Sequence, residues 1–157
     1  MMKTLITATL IVAFFFSCKS GDSLTKAETM AKIAEQVESS RYTFVPQTAH
    51  PMGGRAINIT SSYELKVTKD TISAYLPYFG RAYTAPYPTD EGGIKFVSTN
   101  FSYETKDNGK GQWYTTIGIK DDRRNVQLTL DIGNTGYATL TVRDNTRQPI
   151  SFYGRIE

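Results

Sequence analysis

From Arg41 to the C-terminus, apolar and polar side chains alternate residue by residue. Tyr42 and Phe44 alternate with Arg41 and Thr43. Tyr63, Leu65 and Val67 alternate with Glu64, Lys66 and Thr68, and Ile72, Ala74 and Leu76 with Ser73 and Tyr75. The pattern returns at 94–98, 101–105, 113–119, 126–132, 137–142 and 150–155. Successive side chains of a strand point to opposite faces, so each segment predicts a short strand with one buried face. Turn-forming residues separate them at hairpin spacing: Lys69-Asp70, Asp107 to Gly111, Asp121 to Asn125, Gly133-Asn134-Thr135-Gly136 and Arg143 to Thr146. Connections this short make neighbouring strands antiparallel and leave no room for helical crossovers. A set of about eight such strands must hide its edges by closing on itself or by adding a second layer. The pattern therefore predicts a mainly β fold, a barrel or a strongly curved sandwich.

Two segments depart from this alternation. Thr25 with Glu28 reads as a capping box that opens a helix over 26–39, with Ala27, Met30, Ala31, Ala34 and Val37 on one face and Lys26, Glu28, Lys32, Glu35, Gln36 and Glu38 on the other. A narrow, small-residued apolar face predicts a helix packed on one end or side of the sheet. The stretch 76–88 interleaves Pro77, Pro86 and Pro88 with Tyr78, Phe79, Tyr83 and Tyr87 and runs on to Gly92-Gly93, so it is no ordinary central strand.

The first residues carry a different signal. Lys3 precedes an apolar run from Leu5 to Phe16, followed by Ser17-Cys18. This is the charged, apolar and small-residue order of a secretory signal. The run has about 12 residues, short of the roughly 20 that a spanning helix needs. Ser17-Cys18 resembles the end of a lipobox, where cleavage precedes a cysteine that carries diacylglycerol. The expected organisation is a signal peptide over 1–17, a lipidated Cys18 at the head of a polar tether over 18–23, and one β domain over 24–157. Export, with a lipid anchor at the periplasmic face or in the outer membrane, follows from that reading. Cleavage takes 1–17 from the 157 residues and leaves 140, a typical size for one domain. Cys18 is the only cysteine, so no disulfide supports the fold.

Charge changes the picture little. The full chain stands at +3, and losing Lys3 leaves +2. The basic residues are scattered, with no run longer than Arg123-Arg124, so a phosphate-tracking surface and a nucleic-acid partner are not expected.

The strings YTFVPQTAHPMGGRAINIT (42–60), YLPYFGRAYTAPY (75–87), GGIKF (92–96), GYATLTV (136–142) and RQPISFYGRIE (147–157) closely resemble the Bacteroidetes lipoprotein family known as the domain of unknown function DUF4251. The resemblance spans the mature chain in order. It implies a lipocalin-like, or calycin-like, β-barrel preceded by a helix, and export as a lipoprotein. It implies no activity, cofactor or catalytic residue.

The residues offer little catalytic material. His50 is the single histidine, in a His-Pro-Met-Gly-Gly segment that reads as an exposed turn, so neither a nucleophilic triad nor a His/Cys zinc site is expected. Glycoside hydrolysis needs only two acids across a cleft, but Asp70, Asp90, Glu91, Asp107, Asp121, Asp122 and Asp144 fall in turns. Glu64, Glu104 and Asp131 read as outward strand positions. No phosphate-loop or dinucleotide string occurs, and no cofactor or metal is expected. The candidate surface is the aromatic segment: Tyr75, Tyr78, Phe79, Tyr83 and Tyr87, with Arg81 among them. Rings offer apolar faces to a ligand while hydroxyls and a guanidinium fix its polar groups. The same residues also suit a plug that covers a sheet edge. Asp22-Ser23-Leu24 and Asp70-Thr71-Ile72 are similar to an Asp-Ser/Thr-apolar O-glycosylation motif, which makes Ser23 and Thr71 candidate modification sites. The expectation is a non-enzymatic, membrane-anchored protein that holds an apolar or amphipathic small molecule in a barrel interior or mouth near 75–96. Alternatives are an envelope interaction protein with a filled barrel, or a carboxylate hydrolase.

Overall fold

A computed structural model describes residues 25–83, 92–121 and 124–157. One helix, α1 (Lys26–Glu38), precedes ten strands: β1 (Tyr42–Pro51), β2 (Ile57–Asn58), β3 (Glu64–Val67), β4 (Ile72–Leu76), β5 (Ile94–Ser98), β6 (Phe101–Asp107), β7 (Gln112–Asp121), β8 (Arg124–Gly133), β9 (Tyr137–Asp144) and β10 (Arg147–Ile156). Every ladder is antiparallel. The strands run β5-β4-β3-β1-β10-β9-β8-β7-β6, with β2 beside β1 off this path. The two edge strands, β5 and β6, are consecutive in the chain and joined by Thr99-Asn100 alone. A link that short forces the sheet to curl until its edges meet, giving a nearly closed barrel. Across the seam the Ser98 hydroxyl at the end of β5 donates to Asp121 Oδ1 of β7 (3.0 Å), and the Asn100 side-chain amide in the link donates to the Lys120 carbonyl of β7 (2.7 Å).

Alternation places one side chain in two inside. Phe44, Leu65, Ile117, Leu128, Leu130 and Phe152 are 0% exposed. Together with Trp113, Ile132 and Leu140 they form one hydrophobic core inside the barrel. At full burial each such side chain stabilises the fold by about 1.5–3 kcal/mol. β1 and β10 change register between Pro46 and Thr48, a bulge that sets Gly154 opposite Pro46. A Cβ on Gly154 would collide with the Val45 carbonyl oxygen and approach the Pro46 Cα to 2.9 Å.

The capping box of α1 forms as its sequence predicts: the Thr25 side chain accepts from the Glu28 amide, and the Glu28 carboxylate accepts from the Thr25 amide (2.7 Å). The apolar face differs from expectation. Ile33 and Val37 are its buried residues, whereas Ala27, Met30 and Ala31 are exposed. The reason is placement. α1 lies across the end of the barrel where β1 starts and β10 finishes, and Ile33 sits over Gly136, so the core meets its second half. The helix ends in a Schellman arrangement, with the Ser40 amide on the Val37 carbonyl (3.2 Å) and the Arg41 amide on the Gln36 carbonyl (2.9 Å). Ser40 holds the left-handed position (φ 53°) that glycine usually takes.

Several strands are longer than the alternation predicts. β1 continues through His50 to Pro51, so the turn starts at Met52 and the exposed His50 belongs to a strand. β7 and β8 run into the predicted 121–125 turn, where Asp121 pairs with Arg124. β2 had no alternation to announce it. The expected signal peptide over 1–17, Cys18 and the expected tether over 18–23 lie outside the described residues.

Candidate functional site: an aromatic rim at the far end of the barrel

Opposite α1, the chain leaves β4 at Leu76 and crosses to the start of β10. Ala82 bridges Arg147, the Gln148 amide donates to the Arg81 carbonyl (3.0 Å), and the Tyr83 amide donates to the Thr146 carbonyl (2.8 Å). Pro77 cannot continue a ladder as donor, which releases the chain from the sheet here and frees it to fold over the barrel end. Pro77 itself is buried.

Beneath this strap sits Arg147, 5% exposed, paired through Nε with Asp144 Oδ2 at 3.3 Å. Its Nη1 donates to the Gly93 carbonyl (2.8 Å), and its guanidinium lies 5.0 Å from the centroid of the Tyr78 ring. Asp144 also accepts from the amide and hydroxyl of Thr146 (2.9 and 2.8 Å). The Tyr78 hydroxyl donates to the Arg81 and Gln148 carbonyls (2.9 and 3.1 Å). Burial raises the Tyr78 hydroxyl above its ordinary range, against the lowering effect of its Gln148 partner and of Arg147. Arg147 thus fastens both ends of the 78–93 excursion to the hairpin of β9 and β10. Sequence reasoning passed over it, although it opens the string RQPISFYGRIE. An arginine just past a two-residue turn resembles a solvated turn residue until tertiary contacts cover it.

Outside this fastening, rings face solvent. Tyr75 and Phe79 are exposed, and Tyr83 more so. Tyr63 packs on Tyr75, ring centroids 5.0 Å apart and tilted by 36°. Lys95 Nζ stands 5.8 Å from the centroid of the Tyr75 ring. Strand register makes this a row across the outer face: Glu64, Tyr75 and Lys95 lie side by side on β3, β4 and β5. A hollow of about 230 Å³ opens between Tyr75, Phe79 and Gly92-Gly93. A second, of about 420 Å³, lies on the other side of the tyrosine pair against Val45, Ser62 and Glu64. Together they form a shallow groove divided by the Tyr63–Tyr75 pair.

The predicted residues therefore divide. Tyr75, Phe79 and Tyr83 are available to a ligand. Tyr78 is half-buried and structural, and Arg81 is held by its backbone, its amide donating to Gln148 Oε1 at 3.3 Å. Among the described residues, Arg147 and Lys95 are cations that meet rings. Tyr87 and Ser23 lie outside the described residues, as do Asp90, Glu91 and Asp122. Thr71 sits at the β3–β4 turn, half-buried, its amide donating to the Thr68 hydroxyl (3.0 Å). The strand acids Glu64, Glu104 and Asp131 stand on β3, β6 and β8, no two of them adjacent. Among the described residues, no three His, Cys, Asp or Glu side chains are placed to share a metal ion.

Comparison with known proteins bears on the fold. The chain is similar to a DUF4251 family protein from Bacteroides eggerthii DSM 20697, known from a crystal structure at 1.95 Å resolution. The TM-score is 0.62 at 15% identity, covering 84% of this chain and 91% of that one. No curated protein matches the sequence. The family model described as a domain of unknown function, DUF4251, matches residues 25–156, which takes in the helix, the barrel and the aromatic rim alike. The chain belongs to the DUF4251 family.

Proposed function

We propose that this protein is a non-enzymatic, lipid-anchored component of the cell envelope that binds an amphipathic small molecule in the groove along Tyr63, Tyr75 and Phe79. The observation that carries this reading is the pairing of exposed rings with a rigid base. Tyr75 and Phe79 face solvent, while the backbone behind them is fixed by the buried Arg147–Asp144 pair. Preorganised aromatic faces bind with little loss of side-chain freedom. The side chains of Phe44, Leu128, Leu130 and Phe152 occupy the interior, which favours the mouth over the interior as the binding place. Lipidation of Cys18 fits the short chain between it and α1, and α1 covers the end of the barrel opposite the rim. An anchor there leaves the groove facing away from the membrane.

The test uses the full-length protein purified from membranes. Binding of a fluorescent fatty acid is expected, weakened about tenfold by Tyr75→Ala or Phe79→Ala, a loss of roughly 1.4 kcal/mol. Equal affinity in both variants would remove the groove from consideration. Cys18→Ser should release the protein from the membrane fraction and abolish palmitate incorporation.

A second reading, an envelope protein that meets a protein partner, rests on a different surface. Tyr137 and Tyr153 stack on the outer face of β9 and β10, rings 5.7 Å apart and within 3° of parallel, and both are exposed. Crosslinking in cells that yields a single protein partner through this pair favours it.

A further inference from the structure

The core beneath α1 is built differently from the middle of the barrel. The inward residues nearest the helix include Tyr42, Trp113, Thr115, Thr105 and Tyr103, so hydroxyl and indole groups stand where Leu128, Leu130 and Phe152 stand further in. Some of these groups are satisfied: Thr105 and Thr115 share a hydrogen bond (3.0 Å), and the Tyr103 hydroxyl donates to the Val37 carbonyl of α1 (2.8 Å). Others are not. Tyr42 is 4% exposed and Trp113 2% exposed, yet neither the Tyr42 hydroxyl nor Trp113 Nε1 has a hydrogen-bond partner. The Tyr42 hydroxyl faces those of Tyr103 and Thr115 without a bond of proper geometry to either. Buried donors left unmade are costly, and a native fold keeps them where something else satisfies them.

The cover over these groups is lightly held. Ile33 and Val37 are the buried residues of α1. Its last turn runs into Ser40, strained at φ 53°, directly before β1. A small footing, a strained pivot and unsatisfied donors underneath point to the same device. We propose that α1 is a hinged lid over a latent binding site at this end of the barrel, and that the site takes an aliphatic chain bearing an uncharged carbonyl, an ester or an amide.

The chemistry follows from what α1 itself places there: two branched aliphatic side chains and one carbonyl, that of Val37, accepting from Tyr103. Trp113 Nε1 can only donate, so its partner must be an acceptor. No Lys or Arg stands among these inward residues to neutralise a buried carboxylate, which selects an uncharged head over an ionised one. The site lies at the opposite end from the aromatic groove and is independent of it.

Trp113 is the only tryptophan in the chain, so its emission reports this layer directly. Titrating the full-length protein with methyl octanoate should shift that emission saturably, and octane, which lacks the acceptor, should bind at least about tenfold more weakly. With the ester bound, amides of α1 should exchange with deuterium faster than those of β8 and β9. Tyr42→Phe should weaken the ester about tenfold while leaving the melting temperature of the unliganded protein unchanged or higher, because it removes an unsatisfied hydroxyl without opening a cavity. The proposal is overturned if octane binds as well as the ester, if emission does not move, or if α1 exchanges only together with the core. A lower melting temperature in Tyr42→Phe overturns it as well. So does loss of ester binding in Tyr75→Ala, which would assign the ligand to the rim.

Discussion

Gly154 shows how much one missing methyl group can matter. It lies opposite the bulge in β1, where the Val45 carbonyl and the Pro46 Cα occupy the space that a side chain would need. The neighbours are backbone atoms, which cannot swing aside as a flexible side chain would. Gly154→Ala is therefore expected to cost about 3 kcal/mol, at the upper end of overpacking effects, and urea denaturation should read it as a lower midpoint with an unchanged slope. A variant as stable as the native protein would mean that β1 relaxes there. Nothing in the local sequence marks this glycine out. The string SFYGRIE reads as an ordinary strand with one weak position, and only the register with β1 reveals the close approach. Arg147 was hidden in the same way. Its burial depends on Tyr78 and Gly93, which reach it through an excursion between β4 and β5.

At the scale of the element, the helix was legible at its start and misread along its face. Thr25 and Glu28 form a local motif, and local motifs survive whatever surrounds them. The choice of Ala27 and Ala31 over Ile33 as core positions failed because small side chains fit either environment, and because only one half of α1 lies over the barrel. Past the cap of the helix lies Ser40, where an L side chain takes a conformation that costs about 1–2 kcal/mol relative to glycine. Ser40→Gly relieves that strain and should raise stability by about 1 kcal/mol once the greater freedom of glycine in the unfolded chain is set against it. Thermal denaturation checks the sign, and slower amide exchange within α1 would show that the gain acts on the closed helix. A lower melting temperature would mean that the Ser40 side chain makes a contribution larger than the strain.

For the whole molecule, the decisive feature is that β5 and β6 are neighbours in the chain and opposite edges of the sheet. Each pairs with one strand, β5 with β4 and β6 with β7, whereas β8, β9 and β10 are paired on both sides. The end of β5 is tied across the seam by the Ser98–Asp121 bond rather than by a ladder. Opening there breaks the fewest hydrogen bonds, so amides of β5 and β6 should exchange well before those of β8 and β9 under native conditions. Uniform protection around the barrel would instead indicate that the seam opens only when the whole fold does.

The alternation of apolar and polar residues and the turn residues determined the place and antiparallel pairing of most strands, because both depend on contacts within a few residues. The capping box determined the start of α1 for the same reason. Closure into a barrel, the filling of its interior, the bulge at Gly154 and the assembly of Tyr63, Tyr75, Phe79 and Arg147 into one rim were decided by tertiary structure alone. Each depends on residues far apart in the chain, and periodicity along one strand carries no record of which strand will lie beside it or what will cover its end.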